Sequence, residues 1–387
     1  MKAIKRYLRS TDIWYLLLCM ICSGLSVLVL VSICQNVLGG VAVGESGFSA
    51  IFKGFREAFV QLGASCLGIV CAILLSLVDY RSLVNFWPVH MALTWGLVIL
   101  TFLRTGPFGK APLGTDNFSW IMLPGGLSLQ PTELAKISFI MTFAMHLDNV
   151  HAHINEPKTL LKLLLHIGVP VLVVHFQGDD GTALVFLAIG GMMLFAGGLS
   201  IKYILSAVAA GAVAVPVLML TGRFKGYQLD RILALFNPDE YEKIMYQQNM
   251  ARVAIGAGRI NGRGLFSNDH FYVPLAQNDF IFSYMAEAFG FLGSMAVIGV
   301  LFAIAIKTLT TGLRAQDRVG SYICVGVFAT LAWQIIINLG MNLTLLPVIG
   351  VTLPFFSAGG TSVLMLYLCV GLVLSVYIHN KKTLFDR

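Results

Sequence analysis

The sequence predicts an all-α integral membrane protein, with about ten transmembrane helices and one large extracellular loop. Three observations predict it. Hydrophobic residues make up 57% of the chain and charged residues only 12%, about half the share of a soluble domain. Apolar runs long enough to cross a bilayer recur from end to end. Lysine and arginine concentrate in alternate connections, the bias that orients membrane helices. No Gly/Ser linker or strong internal repeat divides the chain, so residues 1–387 read as a single polytopic domain.

The first apolar run, 13–34, follows a basic stretch and is too long for the core of a signal peptide. It also lacks a clear small-residue cleavage site, so it reads as a retained first span. The further spans fall at 58–78, 86–103, 133–147, 161–176, 182–199, 203–220, 280–306, 321–343 and 361–378. Seven cysteines, Cys19, Cys22, Cys34, Cys66, Cys71, Cys324 and Cys369, lie in or beside these runs and read as small buried apolar residues. Neither a disulfide framework nor a zinc site is predicted. His151 and His153 form a close pair that fits a solvated loop better than a metal site.

With the N-terminus in the cytoplasm, the inner segments carry Lys2, Lys5, Arg6, Arg9, Arg81, Lys158, Lys162, Lys202, Lys307, Arg314, Arg318, Lys381, Lys382 and Arg387. The short outer loops carry only Lys53, Arg56, Arg104 and Lys110, so both termini are expected inside. Residues 221–279 then form the large extracellular loop. It holds Arg223, Lys225, Arg231, Lys243, Arg252, Arg259 and Arg263, interleaved with Asp230, Asp239, Glu240, Glu242 and Asp269. Such a mixture is either a solvated surface or a site for an anionic ligand such as diphosphate, for which arginine offers paired donors.

Charged residues also sit where apolar runs begin. In Gln130-Pro-Thr-Glu-Leu-Ala-Lys136, the proline and Glu133 suit a helix start. Lys136, three residues on, shares a face with Glu133 and can pair with it. An intramembrane pair usually faces a polar cavity; the alternative is a lysine that snorkels to the interface. Asp179-Asp180 precedes a glycine in a very short outer loop, where a turn role is equally open. Asp279 closes the long loop immediately before the 280–306 run. It either caps that helix or places a carboxylate for chemistry at the membrane surface. Glu287 lies two turns further in. These groups gather at the outer ends of the fourth, sixth and eighth spans, which suggests a polar cavity opening outward.

The residues resemble the SEDS family of bacterial peptidoglycan glycosyltransferases, the RodA, FtsW and SpoVE proteins. Gln130 to Lys136 is similar to the family's Q-P-[ST]-E-x-x-K, and Asp179 to Leu184 to its P-D-x-G-T-A-L. In the long loop, Asp230-Arg231, Asn237-Pro238, Tyr246-Gln247 and Ala254-Ile-Gly256 follow the family's order. Asn278 to Phe282 with Glu287 and Gly290 resembles T-D-F-I-F and E-E-x-G. Leu346 to Gly350 and Leu353 to Ser362 resemble the final P-x-x-G and L-P-x-x-S-x-G-G-[ST]-S. Departures fall at Gly178, Met250, Ala251, Arg259, Leu275, Ala288 and Ala358, while the key Asp, Lys and inner Glu remain. Of the three types, the RodA-like elongation role is favoured.

The resemblance implies polymerisation of lipid II, a disaccharide-pentapeptide on undecaprenyl diphosphate, at the outer face of the bacterial plasma membrane. It implies an inverting single displacement with Asp279 as general base. Glu133, Lys136, Arg223, Arg231, Arg252, Gln247, Glu287 and Ser357 are the expected substrate contacts, with Lys136 and the arginines stabilising the departing diphosphate. A divalent cation, Mg or Mn, could assist, although no motif demands one. The expected partners are a class B penicillin-binding protein transpeptidase and membrane lipid, and no nucleic acid. Two other readings stay open: a transporter that flips lipid II, for which a polar intramembrane pair is equally suitable, and a non-catalytic scaffold for the transpeptidase.

Overall fold

A computed structural model describes residues 2–40, 48–111, 117–124, 127–220 and 227–380. A short basic helix, α1 (Lys2–Ser10), leads into α2 (Ile13–Asn36), whose first turn is capped by Asp12. Then come α3 (Phe48–Gly54), α4 (Arg56–Ser76), α5 (Tyr80–Asn85) and α6 (Trp87–Thr101). After them run α7 (Pro131–Val150), α8 (Pro157–Phe176), α9 (Asp180–Ala196) and α10 (Ile201–Leu220). The final five are α11 (Tyr227–Phe236), α12 (Glu242–Ala257), α13 (Ile281–Leu313), α14 (Arg318–Asn342) and α15 (Gly360–His379).

Each expected span falls on one of these helices. Six of the described helices, α2, α4, α8, α13, α14 and α15, are long and apolar enough to cross a membrane, while α6 and α9 are apolar but shorter. α7 is 20 residues long but carries Glu133, Lys136 and Asp148. It extends beyond the expected 133–147 because Pro131 starts it two residues earlier.

Burial separates an interior from a rim. The most apolar window of α14 is 78% buried within the protein, that of α8 only 22%, so α14 is a central post and α8 faces outward. α14 packs on α13, α9, α7 and α15, and α15 lies along α4. Polar cross-links replace the hydrophobic drive that lipid cannot supply. Buried Gln61 of α4 donates to Ser26 Oγ of α2 at 3.0 Å and to the Phe355 carbonyl at 3.2 Å. Cys66 corrects the sequence reading, because it is exposed on the outward face of α4.

Two connections hold more structure than their sequences suggest. Between α6 and α7, β1 (Phe108–Lys110), β2 (Trp120–Met122) and β3 (Ser128–Leu129) form a small antiparallel sheet in that order. In the segment 221–279, α11 and α12 precede an irregular stretch that docks on α13. That helix is broken at Gly290, with φ 68° and ψ −170°. The break frees backbone groups, and the stretch satisfies them. Phe291 N–H donates to the Arg259 carbonyl at 2.8 Å, while Arg263 and Gly264 N–H donate to the Glu287 and Ala288 carbonyls at 2.9 and 3.0 Å. Only glycine fits, since a Cβ at position 290 would lie 2.2 Å from Gly262 N.

Candidate active site

The site begins at the first turn of α7. Lys136 Nζ lies 2.7 Å from Glu133 Oε1, and the two residues are 1% and 5% exposed. Lys136 therefore does not snorkel; it is a buried ion pair. Glu133 Oε2 is buried without a hydrogen-bond partner, so the pair is not closed on itself.

Asp179 links α7 to α9. Its Oδ1 accepts the Thr182 N–H at 3.1 Å, capping α9, and its Oδ2 accepts Gln130 Nε2 at 2.6 Å. Burial, above all, raises this carboxyl above its ordinary range; Glu133 adds to the rise, and the bonds from Thr182 and the charge of Lys136 oppose it. Gly181 lets the loop after α14 approach closely, since a Cβ there would stand 2.2 Å from the Ile349 carbonyl.

Asp279 ends the irregular stretch just before α13. The position before that helix belongs to Phe280, and no side chain caps it, so the capping role open to Asp279 in the sequence is not what the fold uses. The residue is half-buried, and a Cβ on Gly350 would lie 3.8 Å from its Oδ2. Its carboxyl is pushed up to about 6, first by burial and then by the negative charge of Asp179, with Arg231 opposing. Arg231, on α11, donates to the Val348 carbonyl, which fastens its helix to the loop facing Asp279. Asp279, Asp179, Arg231 and the Glu133–Lys136 pair thus form one electrostatic group drawn from four elements.

The remaining expected residues divide. Ser357 is buried; its Oγ donates to the Asn278 carbonyl and accepts the Leu353 N–H, both at 2.8 Å. It pins the last loop beside Asp279. Glu287 is fully buried with both oxygens engaged. Arg263 Nη1 and the Phe271 N–H reach Oε1 at 3.1 Å, and His270 Nδ1 lies 3.3 Å from Oε2. It staples the stretch 263–271 to α13. On α12, Gln247 is half-buried and Arg252 exposed, and neither hydrogen-bonds to the group around Asp279. Arg223 lies outside the described residues.

Sequence reading passed over three buried amides. Gln248, next to Gln247, donates to the Met341 and Leu346 carbonyls, both at 2.9 Å. Asn338 and Asn342 of α14 reach the Asp279 carbonyl at 2.8 and 3.0 Å. The signal was present, for two asparagines one helical turn apart in an apolar span are costly unless each is used. Among the described residues no group of three or more His, Cys, Asp or Glu side chains is placed to hold a metal. A divalent cation bound together with a diphosphate takes only one or two carboxylates from the protein, and Asp279, Asp179 and Glu133 are the carboxylates of this group.

Fold and site together define a polytopic membrane protein of helices, with facing carboxylates and a buried lysine at the ends of α7, α9 and α13. Residues 13–382 match the family FTSW_RODA_SPOVE, described as cell cycle protein. A probable peptidoglycan glycosyltransferase FtsW of Trichlorobacter lovleyi is 31% identical over 365 residues, covering 90% of this chain and 92% of that protein. Stage V sporulation protein E of Bacillus subtilis is 27% identical over 363 residues, covering 92% and 97%. Among solved structures, a chain of a peptidoglycan synthase complex that coordinates polymerization and crosslinking superposes with a TM-score of 0.76 at 26% identity, covering 96% of this chain and 99% of its own. The rod shape determining protein RodA of Thermus thermophilus shares the fold, with a TM-score of 0.66 at 23% identity and coverage of 96% and 98%. The chain belongs to the FtsW/RodA/SpoVE family, the SEDS peptidoglycan glycosyltransferases.

Proposed function

We propose that this protein polymerises lipid II at the outer face of the plasma membrane, with Asp279 as general base. The observation that carries the reading is the state of Asp279: a carboxyl released from helix capping, half-buried, and titrating near neutrality at about 6. A base poised there is ionised at neutral pH and still accepts a proton readily. In the reaction, the acceptor's sugar hydroxyl forms a bond to the donor's anomeric carbon as the bond from that carbon to diphosphate breaks. The hydroxyl proton passes to Asp279, and diphosphate leaves as an anion needing no proton. A single displacement inverts the anomeric centre, with the base opposite the leaving group as in inverting glycosidases. Lys136, charged and aimed by Glu133, and Arg231 supply the positive field for the leaving group.

The test is purified protein in detergent with labelled lipid II, scored for glycan chains. Product supports the polymerase, because micelles offer no second compartment into which a flippase could move its substrate. Absence of product, with the protein folded and lipid II bound, overturns it in favour of the flippase or the scaffold. In this proposal the chain forms one polytopic unit, with 221–279 its large extracellular part.

The orientation has its own test. Asn268 is exposed on the stretch that docks on α13. A cysteine placed there is expected to react with an impermeant thiol reagent on intact cells whose outer wall admits it. Reaction only after lysis would reverse the topology and separate the site from its substrate. A class B penicillin-binding protein is the proposed partner, supported by the similar chain that works within a polymerising and crosslinking complex. Pull-down of the native protein distinguishes the favoured elongation role from division or sporulation by the transpeptidase recovered.

A further inference from the structure

Two buried asparagines on α14 hold the backbone of Asp279 and touch each other, Asn342 Nδ2 lying 3.2 Å from Asn338 Oδ1. Asn338 and Asn342 are both 0% exposed and lie one helical turn apart. Asn338 Nδ2 donates to the Asp279 carbonyl and to the Val351 carbonyl, each at 2.8 Å. Asn342 Nδ2 donates to the same Asp279 carbonyl at 3.0 Å and to the Asn338 carbonyl at 2.9 Å. Its Oδ1 accepts the Ser283 N–H at 3.2 Å in the first turn of α13. A carbonyl oxygen has two lone pairs, and here both are taken by one helix.

The consequence is geometric. Fixing the Asp279 carbonyl fixes the peptide plane that leaves its Cα, which anchors the Cα in space and restricts the backbone rotation that aims its side chain. Val351 adjoins Gly350, the residue facing the Asp279 carboxyl. The Asn338 amide therefore ties the base and the opposite wall of the site to the same point on α14. Burying polar amides in a membrane helix is costly unless each is used, and here their donors converge on the site. We infer that Asn338 and Asn342 are positioning residues for glycosyl transfer, aligning the Asp279 carboxylate through its own backbone. This rests on the reading of Asp279 as the base.

The alternative is a staple that holds the loops and nothing more, and the rate and its pH dependence separate the two. The charged groups acting on Asp279 are Asp179 at the start of α9 and Arg231 on α11, with Glu133 and Lys136 beyond Asp179. Asn338→Ala and Asn342→Ser leave all of them in place. Each purified variant is assayed with lipid II in detergent across the acidic limb of the pH–rate profile. A misplacement of about 1 Å costs on the order of 100-fold, so kcat is expected to fall roughly 10- to 100-fold while KM changes little. The limb's midpoint is expected to move below its parental value as the loosened carboxylate gains water. A staple would lower thermal stability and the yield of active enzyme but leave kcat per active enzyme and the midpoint at parental values; that result overturns the inference. If Asn338→Ala does not accumulate, Asn342→Ser carries the test, because it leaves both bonds that Asn338 donates, to the Asp279 and Val351 carbonyls, in place. The Asp279→Asn variant separates the two readings. If it is inactive and the asparagine variants are parental, only the positioning role fails; if it is active, both fail together.

Discussion

Replacing Asp279 by Asn is expected to reduce lipid II polymerisation by roughly 10²- to 10⁴-fold, the usual contribution of a general base. The structure makes this substitution clean. The side chain of Asp279 caps no helix, and its carbonyl is held by Asn338 and Asn342 whatever the side chain is. An amide of the same shape also removes a negative charge that faces Asp179. The sign of the stability effect follows from the raised carboxyl. The folded protein favours the protonated form, so the group's contribution to stability is greatest at low pH and declines as pH rises through about 6. At neutral pH the Asn variant is therefore expected to melt no lower than the parent. The parental rate should rise as pH passes upward through about 6 and then level off, as an ionised base requires. Lipid II binding should persist, because the base acts mainly in the transition state. Polymerisation within a few-fold of the parent would sink the assignment. Asp179 would then be the next residue to replace, since its charge acts directly on Asp279, whereas Glu287 is held by Arg263 and the Phe271 N–H on the stretch before α13.

Lys136→Met is the second large effect, and burial changes what it should look like. Sequence alone suggests that methionine, of similar length and apolar, would leave the fold untouched. In the structure Lys136 is 1% exposed, and its partner Glu133 already has one unpaired buried oxygen. Removing the lysine strands that carboxylate, a change that costs about 3–5 kcal/mol when an ion pair is fully buried. The single variant is therefore expected to be inactive and also less stable in detergent. The double variant Glu133→Gln with Lys136→Met removes both charges and should regain most of the stability. It should remain inactive, because no cation is left at that point to offset the departing diphosphate. A stable double variant with near-normal turnover would make the pair purely structural. Thermal melting and glycan product on the same preparations give both readings.

Both experiments turn on what was legible in the sequence. Transmembrane helices were, because a bilayer forces each span to satisfy its own backbone and to present apolar side chains. Those demands are local, and the apolar runs record them within a few residues: 58–78 against Arg56–Ser76, and 361–378 against Gly360–His379. The Glu133–Lys136 pair was legible for the same reason, since three residues along a helix is a neighbour relation that needs no tertiary contact. So was Asp279, as a carboxylate at the end of a polar segment.

What the tertiary structure decided depends on groups distant in sequence. Whether Asp279 caps α13 could not be read, because an aspartate before a helix satisfies either role until the fold selects one. Glu287 looked like a second site carboxylate. It became a staple only when Arg263, His270 and the Phe271 amide closed on it from a separate stretch. The 280–306 run looked continuous, but its helix breaks at Gly290. A break within an apolar run is affordable only where another backbone supplies hydrogen bonds, and residues 259–264 supply them. Sequence by itself determined which residues enter the membrane and where charge gathers at its surface. The fold decided which charges face one another, because that depends on backbone from one loop meeting the end of a helix some 30 residues away.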